Sequence, residues 1–148
     1  MQKFLDSIWA RIIRVVLVAA VVIMGSLPFS YMREFPQIGE DGVLKTVDVV
    51  FSSYFIFEGN GLMDWMPPIC ILLAIGALVA AVYGIFKETI PVLMWIARLI
   101  CFSMVAQVVI CIFLAPTVWG WCIAGAQLLA LALAAIQEMK LEDKNNNR

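Results

Sequence analysis

The stretch Leu99–Gln137, LICFSMVAQVVICIFLAPTVWGWCIAGAQLLALALAAIQ, contains no charged residue. As one helix it would be about 58 Å long, almost twice the ~30 Å hydrocarbon core of a bilayer. Pro116, between Ala115 and Thr117, divides it, because proline cannot continue a helix and restricts the residue before it. Each half is then long enough to cross a membrane. Working back along the chain, Trp65–Phe86 is a third uncharged run, about 33 Å as a helix. A fourth begins near Ile8, with Lys3, Arg11 and Arg14 at its start and no charge from Val15 to Met32. The expected fold is an all-α membrane protein, one four-helix transmembrane bundle over residues 1–148, with spans at about 8–29, 65–86, 91–114 and 118–136. The first span reads as an uncleaved anchor, since no small-x-small cleavage site stands out around Met24-Gly25-Ser26.

Composition agrees with a lipid solvent. The chain has 148 residues, 64% hydrophobic and 14% charged, against about 45–50% apolar and 25% charged in soluble domains. The net charge of −1, without a basic cluster interleaved with aromatics, argues against a nucleic-acid surface. Histidine is absent, which removes the commonest general base and metal ligand. No two of Cys70, Cys101, Cys111 and Cys122 have the C-x-x-C spacing of zinc ribbons or thioredoxin-like centres. No metal or cofactor is expected.

Orientation follows from the basic residues. With the N-terminus inside, one side holds Lys3, Arg11, Arg14, Lys87, Arg98, Lys140, Lys144 and Arg148, and the other only Arg33 and Lys45. This positive-inside bias places both termini in the cytoplasm of a cell that carries the protein in its plasma membrane. Arg98 sits about two turns into the third span, where its long stem can return the charge to the headgroups. Trp9, Trp65, Trp95, Trp119 and Trp121 fall near span ends, as an aromatic belt requires.

The connection 30–64 then faces outward and is net acidic. Its centre, Val43–Phe57, lies between the turn clusters Gly39–Gly42 and Glu58–Gly61. Val47, Val49, Phe51, Phe55 and Phe57 share a strand face, while Val47, Phe51, Tyr54 and Phe55 share a helix face, so periodicity alone leaves strand and helix open. The segment is too apolar for a solvated linker. Phe51, Tyr54 and Phe55 are its candidate partner-binding residues, with capping of the bundle as the structural alternative. The tail Met139–Arg148 reads as a frayed polar end.

Within the spans, Gly76, Ala80 and Gly84 recur every four residues, a small-xxx-small face that lets another helix approach closely. Ala126, Ala130 and Ala134 repeat the pattern in the fourth span. Reflection about residue 117 sets Gln107 opposite Gln127, so the two amides are expected to hydrogen-bond across the third and fourth helices, with a polar transport lining as the alternative. No carboxylate lies in a membrane core, which argues against a proton relay. The same reflection pairs Cys111 with Cys122, and Cys70 shares their half of the membrane. Core packing and thiol redox chemistry are the two readings of these cysteines.

The expected function is a non-enzymatic interaction protein. It would be an accessory subunit of a larger membrane complex or a guard against an externally acting toxin, reached through its outer loop. Expected partners are membrane lipid and another membrane protein or a second copy of the chain. The alternatives are a small oligomeric transporter or channel, which a solute-dependent flux would reveal, and a membrane thiol redox enzyme, which thiol-dependent turnover would reveal.

Overall fold

The computed structural model describes residues 8–28, 30–38, 44–56, 65–113 and 115–146. Four helices long and apolar enough to cross a membrane are present, α1 (Ile8–Ser26), α2 (Met66–Phe86), α3 (Ile90–Phe113) and α4 (Val118–Asn146). They pack as a bundle in which each helix lies on its sequence neighbours and α1 closes against α4. Short α2–α3 and α3–α4 turns make those helices antiparallel, as in other up-and-down bundles. The protein is thus a multi-pass, four-helix membrane protein.

Local chemistry sets most helix ends. At the end of α1, Ser30 Oγ lies within hydrogen-bond reach of Met24 O (2.6 Å) and Leu27 O (2.8 Å), and its one hydroxyl hydrogen serves carbonyls that the finished helix cannot satisfy. Pro67 and Pro68 open α2, where a missing N–H costs nothing. The helix α4 continues to Asn146 instead of stopping near Ile136. Charge from Glu138 onward marks where the helix leaves apolar surroundings, but Glu138-Met139-Lys140-Leu141-Glu142 are good helix formers without Gly or Pro. Leu141 packs against the bundle core, and Lys144 complements the helix dipole in the last turn.

The segment between α1 and α2 is a β structure. Strand β1 (Tyr31–Ile38) pairs antiparallel with β2 (Leu44–Ser52), with Tyr31 opposite Ser52 and a register shift at Gln37/Ile38. A two-residue strand, β3 (Ala115–Pro116) in the α3–α4 turn, adds to the other side of β1, giving the order β2-β1-β3. The open choice between strand and helix for Val43–Phe57 therefore falls to strand over Leu44–Ser52, followed by a turn at Tyr54-Phe55; the Gly39–Gly42 cluster, Val43, Phe57 and the Glu58–Gly61 cluster lie outside the described residues. Only Tyr31 and Met32 pair with β3. Beyond them, among the described residues, one side of β1 is an edge, where Pro36 is tolerated.

Two apolar clusters fill the bundle. One, at the hairpin end, includes Val21, Tyr54, Cys70, Ile71, Ala74 and Ile110. The other includes Val18, Ala77, Ala81, Ile96, Ile100 and Ala130. The small-residue seam of α2 is Ala74, Ala77, Ala81 and Gly84, all buried. Of the expected face, Gly84 belongs to it, whereas Gly76 and Ala80 lie at its half-buried margin. A Cβ at Gly76 would meet only Leu99 Cδ1 at 3.6 Å, an ordinary contact, but one at Gly84 would come within 3.1 Å of Arg14 Nη2 and 3.5 Å of Val92 Cγ1. In α4, Ala130 and Ala134 are fully buried and Ala126 is half-buried. Gly76→Ala is expected to leave detergent thermal stability unchanged, while Gly84→Leu lowers it by about 1–3 kcal/mol through overpacking. Equal stability of the two variants would place the helix contact elsewhere.

Candidate functional site

At the hairpin end, the strap that follows β2 is drawn into the bundle. Tyr54 N donates to Gly25 O at 2.9 Å, and Ser30 N to Ser52 O at 3.1 Å. Thr117 Oγ1 donates to Ser30 O at 3.0 Å, tying the same region to the start of α4. Glycine at position 25 makes room, since a Cβ there would fall 2.6 Å from Ile71 Cδ1. Tyr54 is fully buried, whereas Phe51 (54% exposed) and Phe55 (47% exposed) remain on the surface. The expected trio of surface aromatics is therefore divided, and Tyr54 serves as an anchor instead of a contact residue. The physical reason is its hydroxyl, which needs an acceptor once the ring is buried.

That acceptor is Gln107. Tyr54 Oη donates to Gln107 Oε1 at 2.9 Å, and Gln107 Nε2 donates to Gly120 O at 3.0 Å. Gln127 Nε2 donates to Ser103 Oγ at 2.7 Å, and Ser103 Oγ in turn donates to Cys70 O at 2.8 Å. Cys70 Sγ stands between the two amides, 3.6 Å from Gln107 Oε1 and 3.5 Å from Gln127 Nε2. The expected direct Gln107–Gln127 bond is not made. Gln127 meets Ser103, one turn of α3 before Gln107, because the α3–α4 turn is centred earlier than residue 117. The two glutamines share one network through Cys70 and Ser103, with all these side chains buried. Gln127 Oε1 has no partner among the described residues, and a cavity of about 10 Å³ beside Gln127 and Ser103 is lined otherwise by apolar groups such as Val18 and Ile100.

Cys70 and Cys111 meet the same Gln107 amide, whereas Cys101 and Cys122 do not join them. All four are free, Cys70 is buried within this network, Cys111 is half-buried and accepts from Gln107 Nε2 at 3.8 Å, and Cys101 and Cys122 are exposed. Among the described residues no group of three or more His, Cys, Asp or Glu side chains is placed to hold a metal ion.

A second polar cluster lies at the opposite end and was not evident from sequence. Arg14 of α1 is fully buried. Its Nη1 donates to Gln137 Oε1 of α4 and to Glu88 Oε1, 3.3 Å away in the α2–α3 turn. Arg11 Nε binds the other Glu88 oxygen at 2.8 Å, and Arg11 Nη1 donates to Ile85 O at 3.2 Å. The cluster thus joins α1, α4 and the α2–α3 turn. Arg14 Nε and Nη2 and Gln137 Nε2 have no partner among the described residues. Between the two polar layers lies the apolar cluster of Val18, Ala77, Ala81, Ile96, Ile100, Ala130 and Ala134.

Two sets of variants test these links. Tyr54→Phe and Gln107→Leu are each expected to cost about 0.6–2 kcal/mol, the range of membrane hydrogen bonds, and the double variant less than their sum. Strict additivity of detergent stabilities would sever the Tyr54–Gln107 bond. Glu88→Gln leaves a buried arginine without its counter-charge, and about 3–5 kcal/mol is expected to be lost in the same assay. A Glu88→Gln variant as stable as the parent would show that Arg14 finds its charge elsewhere.

No family model matches the chain, no curated protein matches it in sequence, and no solved structure matches its fold.

Proposed function

We propose that this is a non-enzymatic interaction protein of the plasma membrane, with both termini cytoplasmic and an external hairpin that carries the contact to another membrane protein. The reading covers both an accessory subunit of a larger complex and a guard against an external toxin. One observation carries it. Tyr54 is locked into the bundle, while Phe51 and Phe55 on either side of it stay exposed. An aromatic pair held on a fixed support is the low-entropy kind of surface that interfaces favour. The excess of basic residues on the Arg14 side supports the orientation.

The interior supports this reading over transport by a single chain. The network at the hairpin end stops at a layer of Val, Ile and Ala, and the cavity beneath it is about 10 Å³. Carboxylates, the usual marks of an ion relay, are missing from α1, α2, α3 and the part of α4 before Glu138.

The competing account has Phe51 and Phe55 resting on lipid headgroups. Phe51→Ser and Phe55→Ser are expected to keep the parent's detergent elution and thermal stability while losing, in native copurification from the source membrane, a partner that the parent retains. Retention of the partner by both folded variants would move the contact off the hairpin. Loss of stability in both would make the hairpin a structural cap.

A further inference from the structure

A cleft of about 360 Å³ opens at the Arg14 end of the bundle, with Glu88 and Thr89 of the α2–α3 turn and Ile90 and Pro91 of α3 on one side and Leu141, Lys144 and Asn145 of α4 on the other. Its depth in the membrane follows from helix length. The 21 residues of α2 span about 31 Å, the thickness of the hydrocarbon core, so the turn that follows lies at headgroup level. The last turns of α4 stand beside it at the same level.

The lining carries one carboxylate, Glu88, and one cation, Lys144. Glu88 is already bound by Arg11 at 2.8 Å and by Arg14 at 3.3 Å. Arg11 and Arg14 stand outside the cleft lining and offset Glu88 from behind, while Lys144 on the opposite wall forms no ion pair with it. Behind the Glu88 wall, outside the lining, Arg14 Nε and Nη2 and Gln137 Nε2 lack acceptors among the described residues. Thr89 and Asn145 add neutral donors at the rim. Ile90 and Leu141 make the rest of the lining apolar.

We propose that this cleft takes the headgroup of an anionic phospholipid. The phosphate lies against Lys144, with the Thr89 hydroxyl and the Asn145 amide as further donors, and the start of an acyl chain covers Ile90 and Leu141. Basic pockets between helices at the headgroup level are suited to such ligands. A free phosphate satisfies the polar groups equally but leaves the apolar lining uncovered, so the mixed lining selects the lipid.

The test uses the full chain in nanodiscs of phosphatidylcholine, with or without phosphatidylglycerol, and counts lipids retained after detergent transfer by native mass spectrometry. Retention of phosphatidylglycerol over phosphatidylcholine is expected. Lys144→Gln should weaken it about fivefold, the value of one basic residue near an anionic surface, and Lys144→Arg should restore it. Arg98→Gln is the control for diffuse attraction. Arg98 is exposed on α3 and meets the Trp95 ring at 6.0 Å, away from the cleft lining. Equal loss in Arg98→Gln and Lys144→Gln would replace the site by general charge attraction. Undiminished retention in Lys144→Gln, equal retention of both lipids, or displacement by inorganic phosphate at matched concentration would each overturn the proposal. Lys144 is exposed, so its replacement spares the core. If stability in phosphatidylcholine alone nevertheless falls, Thr89→Val tests the same contact, and full retention there overturns it.

Discussion

In hydrocarbon a polar side chain has no water to fall back on, so it must find its partner inside the protein. This constraint organises the bundle. Gln107 and Gln127 reach inward, and the groups that answer them come from every side: Tyr54 from the strap, Cys70 from α2, Ser103 from α3 and the Gly120 carbonyl from α4. Each bond is worth little by itself. Together they fix the rotation of α3 against α2 and α4, because an apolar seam of alanines would tolerate several rotations. The strap gains its definite place for the same reason, since the Tyr54 hydroxyl can be buried only where Gln107 accepts it.

The Arg14 end uses a different currency. There a full charge is buried, and the lost hydration of a guanidinium is large unless a counter-charge stands beside it. Glu88 supplies that charge from a tight turn, and Gln137 extends the contact to α4. Gly84 is the steric condition, because any side chain there would crowd the guanidinium. The bundle is thus pinned near both ends by directional interactions, with a layer of small and branched apolar residues between them. That layer keeps the two polar regions from merging into a wet path.

The helices were legible because length and hydropathy decide them in lipid with little help from tertiary structure. The hairpin was only half legible. Leu44–Ser52 has strand chemistry, but Tyr31–Ile38 carries Arg33, Glu34 and Pro36, and its partner β3 is two residues in a distant turn. The two glutamines were found as a polar pair, yet their register was set by where the α3–α4 turn is centred, which hydropathy does not encode. Phe51, Tyr54 and Phe55 look alike in sequence, and only the nearby carbonyl and amide groups decide that Tyr54 goes in. Arg14 misled for a clearer reason. A basic residue at the start of a span reads as a topological signal, and that reading needs no partner. Its burial against Glu88 depends on two helix ends meeting, seventy-odd residues apart.

The pairing of β1 with β3 also imposes an order in time. Tyr31 and Met32 must wait for Ala115 and Pro116, which leave the ribosome about 85 residues later. At ~5–20 residues per second that is a delay of roughly 4 to 17 s. Over this interval the hairpin can close on itself but keeps one edge of β1 open, and Tyr54 has no Gln107 to meet until α3 is in place. Completion of the sheet therefore records that the third helix has been made and the turn to the fourth has formed. A chain stalled before that point would leave Tyr31 and Met32 unpaired as well, lengthening the open edge of β1, the kind of surface that invites pairing with another chain.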